Sequence, residues 1–335
     1  MLKQKIIQRI IPIIPVVMLA ITIVFFISRL IPGDPARVMA GHFASEEQVQ
    51  QIRREYNLDK PILVQYALYL RDTLRGDFGT SMHTRRPVME DIKEFYPATI
   101  ELASLSIFLV IVIGVPLGVI SAIKKDKFSD HFARFFALGG VAAPVFWVGI
   151  LLQLILFYKL GLLPIGGRLT YGIDQPQHIT GLYTFDSLLT GNWKAFWDSL
   201  YHLILPVILL AVSSMSSVVR QTRGEMLKVM KEDYTLFHTA YGLSDRKVIY
   251  KYALRNALTP TVSVVGLVFG LLLSGSFLVE TVCSWPGIGR YVAHSVVTSD
   301  FPAITGSTLI IAFSYALINL LMDIVYVLIN PKVRI

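Results

Sequence analysis

Few side chains in this 335-residue chain have the type and spacing for covalent chemistry. His202 and His294 fall at the edges of apolar runs and His238 in a polar loop, and none is read as having a companion at metal-ligand spacing. Cys283 is the single cysteine, so it forms no internal disulfide, and it reads as a small apolar residue at a helix end. The phosphate-cradling pattern GxxxxGK[ST] is absent, which excludes nucleotide hydrolysis by that route. Neither a catalytic nor a metal site is predicted.

The chemistry that remains is recognition, and it concentrates in Glu232 to Pro260. Tyr234, Phe237, His238 and Tyr241 recur at helical spacing, Gly242 stops that helix, and Ser244 is placed to cap the next. A short polar helix between two apolar runs suits insertion into a groove on a soluble partner, with rigid aromatics supplying the buried area. The plainer alternative is a solvated connecting loop.

The elements that must hold this stretch are membrane helices. Hydrophobic residues make up 54% of the chain and charged ones 16%, too apolar for an ordinary soluble domain. A hydrocarbon core needs about 20 apolar residues per helix. Six spans are predicted, near 10–31, 99–123, 132–158, 202–219, 261–279 and 304–329. The first lacks an A-x-A cleavage site and reads as a retained span. The net charge of +8 does not point to nucleic acid, because the basic residues lie in loops. Lys3, Lys5 and Arg9, the Lys124 to Arg134 group, Lys332 and Arg334, and the 220–258 loop carry them on one side. Arg168, Lys194 and Arg290 stand in the short loops opposite. The positive-inside rule then makes both termini and the 220–258 loop cytoplasmic.

The long segment 34–98 falls outside, with a capped helix expected from Ser45 to Tyr56 and another from Pro61 to Leu74, then loops at Gly76, Gly79 and Pro87. It reads as a folded outer lid, or a linker, of mixed polarity that helps seal the outer mouth. Residues 161–200 are expected to form an outer loop.

Within the spans, Glu101 calls for either an inter-helix polar contact or a snorkelling carboxylate. Gly139, Gly140, Pro144 and Trp147 mark a break in the third span, and Ser213, Ser214, Ser216 and Ser217 are expected to bond back to their own helix. Ser263, Gly266, Gly270 and Ser274 form a small-residue face in the fifth, for close helix crossing or for lining a pathway. Glu280 ends that helix. Trp285, Pro286 and Gly287 then make a tight turn in an outer gate region, with the indole expected at the interface. Asn319 and Asp323 share a face of the last span, which is expected to turn towards the bundle interior.

Six motifs in order carry a resemblance: IPGDP at Ile31 to Pro35, GDFGTS at Gly76 to Ser81, PATIEL at Pro97 to Leu102, HLILP at His202 to Pro206, SWPGIGR at Ser284 to Arg290, and the loop itself. In the loop these residues are Glu232, Asp233 and Tyr234, then Ala240, Gly242, Leu243 and Ser244, then Ala253 to Ala257 (including Arg255 and Asn256) and Pro260. The chain resembles the B-type permease subunit of bacterial ABC importers for dipeptides, oligopeptides and nickel. His238 stands where the family usually has a small alanine, and Tyr241 where it often has lysine.

The resemblance implies an all-α type-I importer membrane domain of about six spans. Residues 1–98 would be the first helix with an extracytoplasmic segment, and 99–335 the permease domain with its cytoplasmic coupling loop at 220–260. It implies a C-type permease partner, two ATP-binding subunits that hold the ATP and magnesium, an extracytoplasmic solute-binding protein, and a home in the bacterial inner membrane. Peptides are the expected cargo and nickel or a metal chelate the alternative. An intramembrane enzyme would need paired titratable groups at one depth, and an ion-driven transporter would need internal repeats with midplane charges. Neither pattern is found.

Overall fold

A computed structural model describes residues 13–30, 34–41, 44–128, 130 and 143–329. Outside them lie the ends of the first expected span, Ile31 to Gly33, most of the first half of the third span with Arg134, Gly139 and Gly140, and the terminal basic residues Lys3, Lys5, Arg9, Lys332 and Arg334. The described residues are mostly helical and fall into two compact units. One holds residues up to Thr99 with Pro286–Ala316, and the other holds Ile100–Trp285 with residues from Leu317 onward.

In the first unit, α1 (Ile13–Leu30) is followed by α2 (Pro35–Ala40), α3 (Glu46–Glu55) and α4 (Ile62–Leu74). The expected cap of α3 is a full capping box. Ser45 Oγ accepts from the Gln48 amide at 3.3 Å, and the Gln48 side chain accepts from the Ser45 amide at 2.9 Å. Phe25 of α1 is fully buried, with its ring 5.3 Å from Tyr66 and 5.4 Å from Tyr69 of α4. Gly76 and Gly79 take positive φ, and a single bridge joins Thr80 to Pro87. There Ser81 Oγ donates to Asp300 at 2.5 Å, and buried Asp91 accepts from Tyr291 at 2.9 Å. These bonds surround an apolar cluster of Val88, Ile92, Ile288, Tyr291 and Ala303.

α5 (Val88–Ile123) contributes to both units and passes through a π-helical turn at Val110–Gly114. The second unit continues with α6 (Val145–Lys159), α7 (Tyr183–Thr190) and α8 (Trp193–Val229). It is completed by α9 (Asp233–Ala240), α10 (Asp245–Ser274) and α11 (Phe277–Val282). α12 (Ile288–Val297) belongs to the first unit, and α13 (Phe301–Ile329) contributes to both.

Four of these helices are long and apolar enough to cross a membrane: α5, α8, α10 and the Phe301–Met322 part of α13. α1 and α6 are apolar but shorter over their described residues. The expected boundaries shift clearly at the fourth span. Instead of 202–219, α8 runs for 37 residues, which at 1.5 Å per residue is about 55 Å, well beyond a hydrocarbon core of about 30 Å. Hydropathy marks only the part that could meet lipid, whereas the ends are amphipathic and gain their helicity from packing. For the same reason residues 183–200 are largely helical and not the loop expected there.

α8 is the hub of the second unit, packed against the Val115–Ile123 end of α5 and against α10, α7 and α6. Small residues set these crossings. A Cβ on Gly118 would lie 2.6 Å from Thr222 Cβ, and one on Gly266 would lie 2.6 Å from Met322 Cγ. The tightest approach is at Gly166, where a Cβ would stand 2.3 Å from the Cys283 carbonyl oxygen. Gly166→Ala must therefore move backbone. An overpacking cost of about 1–3 kcal/mol predicts a thermal midpoint several degrees lower in detergent, whereas Gly224→Ala, with open space around its Cβ, holds or raises it.

Candidate functional site

The polar loop is built from its bed upward. Val119, Ala122, Met226, Val229, Ala253 and Ala257 form a buried apolar cluster beneath it, joining α5, α8 and the start of α10. On that bed Thr235, 3% exposed, donates through Oγ1 to the Val229 carbonyl at 2.8 Å and fixes α9 to the end of α8. The Tyr234 hydroxyl accepts from Asn256 Nδ2 at 2.9 Å. The His238 ring lies 4.1 Å from the Tyr252 ring. Tyr252 belongs to a π-helical turn, Val248–Ala253, which opens α10. His238 is thus an internal brace, half-buried against the chain's own second helix.

Glu232 occupies the N-cap position of α9 without a side-chain cap bond, and Asp233 in the first turn complements the helix dipole. Ala240 ends the helix. The amides of Tyr241, Gly242 and Leu243 donate to Phe237, Thr239 and His238 carbonyls, and Gly242 takes φ +80°, the left-handed stop expected of it. Ser244 sits at the N-cap of the next helix but makes no side-chain cap bond there, contrary to expectation. Its carbonyl takes the Lys247 and Val248 amides instead. Arg255 is exposed and Pro260 lies within α10.

One face of this assembly is left outward. Phe237 is 57% exposed and Tyr241 79%, their rings 5.0 Å apart, with Leu236 and Tyr250 also exposed. Apolar area of this kind, held on a rigid support, is what a docking helix offers a groove.

The residues expected to line a pathway divide. Ser263 and Ser274 are exposed, Gly266 and Gly270 are buried, and Gly266 is pressed against Met322. Ser274 bonds back to the Gly270 carbonyl at 3.1 Å. In α8, Ser213 bonds back to Leu210 at 2.9 Å, as the serines were expected to do, but the buried Ser216 hydroxyl has no partner. Asn319 is half-buried, and the Asp323 side chain lies outside the described residues.

Of the expected gate residues, Glu280 is fully buried and accepts from Ser276 Oγ at 2.7 Å. Trp285 is buried as well, with the Arg168 guanidinium 5.6 Å above its ring. Pro286 precedes Gly287, which starts α12, where the Ile288 amide donates to Thr99 Oγ1 at 2.8 Å. Cys283 is buried, and burial pushes its thiol up to about 12, which leaves it inert at neutral pH.

Two polar knots stand in the second unit. Glu101 does not snorkel but makes the inter-helix polar contact that was one of its two expected readings, to Thr184 of α7, with Arg168 added. Its carboxylate takes Arg168 Nη2 at 2.6 Å and the Thr184 amide and hydroxyl at 2.6 Å each, and Arg168 also donates to the Gly181 carbonyl and stacks 3.5 Å from the Tyr183 ring centre. On the loop that carries Arg168, His202 meets the Gly166 and Gly167 carbonyls and Thr170, with Asp198 3.7 Å away, so this histidine does have an acidic neighbour four residues off. At the other end of α8, Arg223 pairs with buried Asp130 through two bonds of 2.9 Å, and Ser121 donates to the same carboxylate. The Arg223 bonds hold the Asp130 carboxyl well below the usual carboxylate range against the opposing pull of burial, helped by Ser121 and the Asp126 amide. A lone acid in an apolar helix signals that a partner exists, but the sequence does not say which loop supplies it. Among the described residues no group of three or more His, Cys, Asp or Glu could hold a metal ion.

With this geometry in hand, the sequence matches two family profiles. Residues 114–335 match the binding-protein-dependent transport system inner membrane component, and residues 1–103 match the N-terminal membrane component of the same systems. A probable D,D-dipeptide transport permease of Escherichia coli is 44% identical over 311 residues, covering 93% of this chain and 92% of the relative. A dipeptide transport permease of Alkalihalophilus pseudofirmus is 40% identical over 98% of both chains, and a glutathione transport permease of Salmonella paratyphi A is 35% identical over 98% of both.

Two outcomes follow from the knots. Arg168→Met alone strands the buried Glu101 charge and costs about 3–5 kcal/mol, while Glu101→Leu with Arg168→Met costs markedly less, as read by thermal melting in detergent. Because the Asp130 acid is depressed, its stabilisation is full above the ordinary carboxylate pKa and is lost as pH falls through the lowered value. Asp130→Asn should therefore melt earlier than wild type at neutral pH, and the gap should close only below about pH 4.

Proposed function

We propose, from the premise that the chain belongs to the binding-protein-dependent inner-membrane transport component family and is a B-type ABC importer permease, that it forms half of a pathway carrying dipeptides or short oligopeptides across the membrane. The D,D-dipeptide and dipeptide names of its relatives favour peptides over the nickel alternative. The observation that supports the role best is α9, a short helix clamped from behind by Thr235, Asn256 and His238 and presenting Phe237 and Tyr241 outward.

In this reading a C-type permease supplies the other half of the pathway, and two ATP-binding subunits, which hold ATP and magnesium, grip α9. A solute-binding protein delivers cargo on the opposite side. Both termini and the 220–260 loop face the cytoplasm, as the loop charges favour. ATP-driven closure of the motor subunits moves α9, α9 moves α8 through the Val229 carbonyl bond, and the two ends of the pathway exchange openness. Ser263, Gly266, Gly270 and Ser274 border the pathway, and the Glu280 to Gly287 segment borders its outer gate.

Gly242 tests the lever. Open space surrounds its Cβ position, so Gly242→Val meets no clash and penalises only the left-handed backbone, by about 1–2 kcal/mol. The expected result is a complex that assembles and hydrolyses ATP within about twofold of wild type but loses about tenfold or more of its vanadate-sensitive peptide uptake in proteoliposomes. Wild-type uptake would contradict the lever, and vanadate-insensitive uptake would contradict the ATP-driven reading.

A further inference from the structure

The first unit contains a polar cavity that the importer reading does not use. It has a volume of about 320 Å³ and lies between the end of α1, the turn after α3, α4, the glycine turn at 77–80 and the start of α13. That volume is at the lower end of the range for small-molecule sites, about 300–1,000 Å³.

Its walls are of opposite character. On one stands Arg29. Its Nε donates to Gln65 Oε1 at 3.0 Å and its Nη1 to Ser28 Oγ at 3.3 Å, which leaves three of its five N–H groups for another acceptor. No carboxylate among the described residues pairs with it. Beside it, the Tyr69 hydroxyl is closed off from the cavity surface, near Thr73 and Thr305. A half-buried guanidinium without its anion is costly unless something else satisfies it. Elsewhere on the lining stand Glu55, Asp72 and Asp77. Asp72 is paired with Arg71, and Asp77 caps the Gly79 amide at 3.0 Å, but no cation among the described residues pairs with Glu55 or Asp77.

We infer that this cavity binds a small zwitterionic peptide, with the terminal carboxylate on Arg29 and the terminal ammonium towards Glu55 and Asp77. The inference rests on the peptide reading above and adds a second station, in a part of the chain separate from the residues expected to line the pathway. A guanidinium fork fits a carboxylate with two parallel bonds, and an ammonium suits exposed single carboxylates. A site that reads both ends of its ligand discriminates against molecules lacking either one.

The test uses the purified membrane complex in detergent without its solute-binding protein, with radiolabelled Ala-Ala as the probe. Saturable binding is expected, weakened about tenfold or more when either terminus is blocked, as N-acetyl-Ala-Ala or Ala-Ala amide. Arg29→Gln should weaken Ala-Ala binding about tenfold or more. Should Arg29→Gln fail to assemble, the double variant Glu55→Gln and Asp77→Asn, which changes two exposed side chains, carries the test. It should weaken Ala-Ala about fivefold or more and leave N-acetyl-Ala-Ala binding unchanged. Absence of saturable binding, or binding indifferent to these variants, overturns the assignment. Adding the binding protein and ATP to the same preparation, reconstituted in liposomes, separates the two levels. Uptake of Ala-Ala without binding to the membrane complex overturns the cavity alone, and failure of uptake overturns the peptide reading and the cavity together.

Discussion

A charge placed in an apolar bundle must be paired, and the second unit of this protein is organised by how it meets that demand. Near one end of α8, His202 is tied to the glycine loop that also presents Arg168 to Glu101. Near the other, Arg223 is tied to Asp130. Between them about 32 Å of helix is packed against α5, α6, α7 and α10. Buried pairs of this kind add little net stability over a well-packed apolar core, but breaking one is expensive, so they fix a single arrangement. The result is a rod whose two ends cannot drift independently of the helices they touch.

That rod gives the short helix α9 its meaning. α9 is only eight residues long and would not hold its shape alone. It is made rigid by three contacts of different chemistry: a buried hydroxyl to the last turn of α8, an amide to a tyrosine hydroxyl, and a stack of histidine on tyrosine. With its inner face spent on these contacts, its outer face is free to present aromatics. A docking element attached to a rigid rod transmits displacement, whereas one on a flexible tether would absorb it. Importer families need the first kind, because the motor and the pathway are separate subunits.

Much of this was legible in the residues. The period of Tyr234, Phe237, His238 and Tyr241, followed by Gly242, announced a helix and its stop, and Ser45 announced a capped helix, because these signals are local. The apolar runs announced the bundle. Partners distant in sequence were not legible. Glu101 implied a partner, yet nothing in the order of residues pointed to Arg168, 67 positions away and counted only as a loop charge. Nothing near Trp285 in the sequence pointed to Arg168 above its ring. The length of α8 was hidden for a related reason, since its ends are helical through packing and not through hydropathy.

The account depends on α9 being the surface through which an ATP-hydrolysing subunit moves this chain. Disulfide trapping tests that most directly. A cysteine replacing the exposed Leu236, in a background where the buried Cys283 is serine, would be paired with cysteines in the groove of the ATP-binding subunit and oxidised in the assembled complex. The account predicts efficient cross-linking whose yield changes between nucleotide-free and ATP-bound states, with uptake lost on oxidation and restored on reduction. No cross-link to the ATP-binding subunit, from a complex that still hydrolyses ATP and imports its cargo, would contradict it.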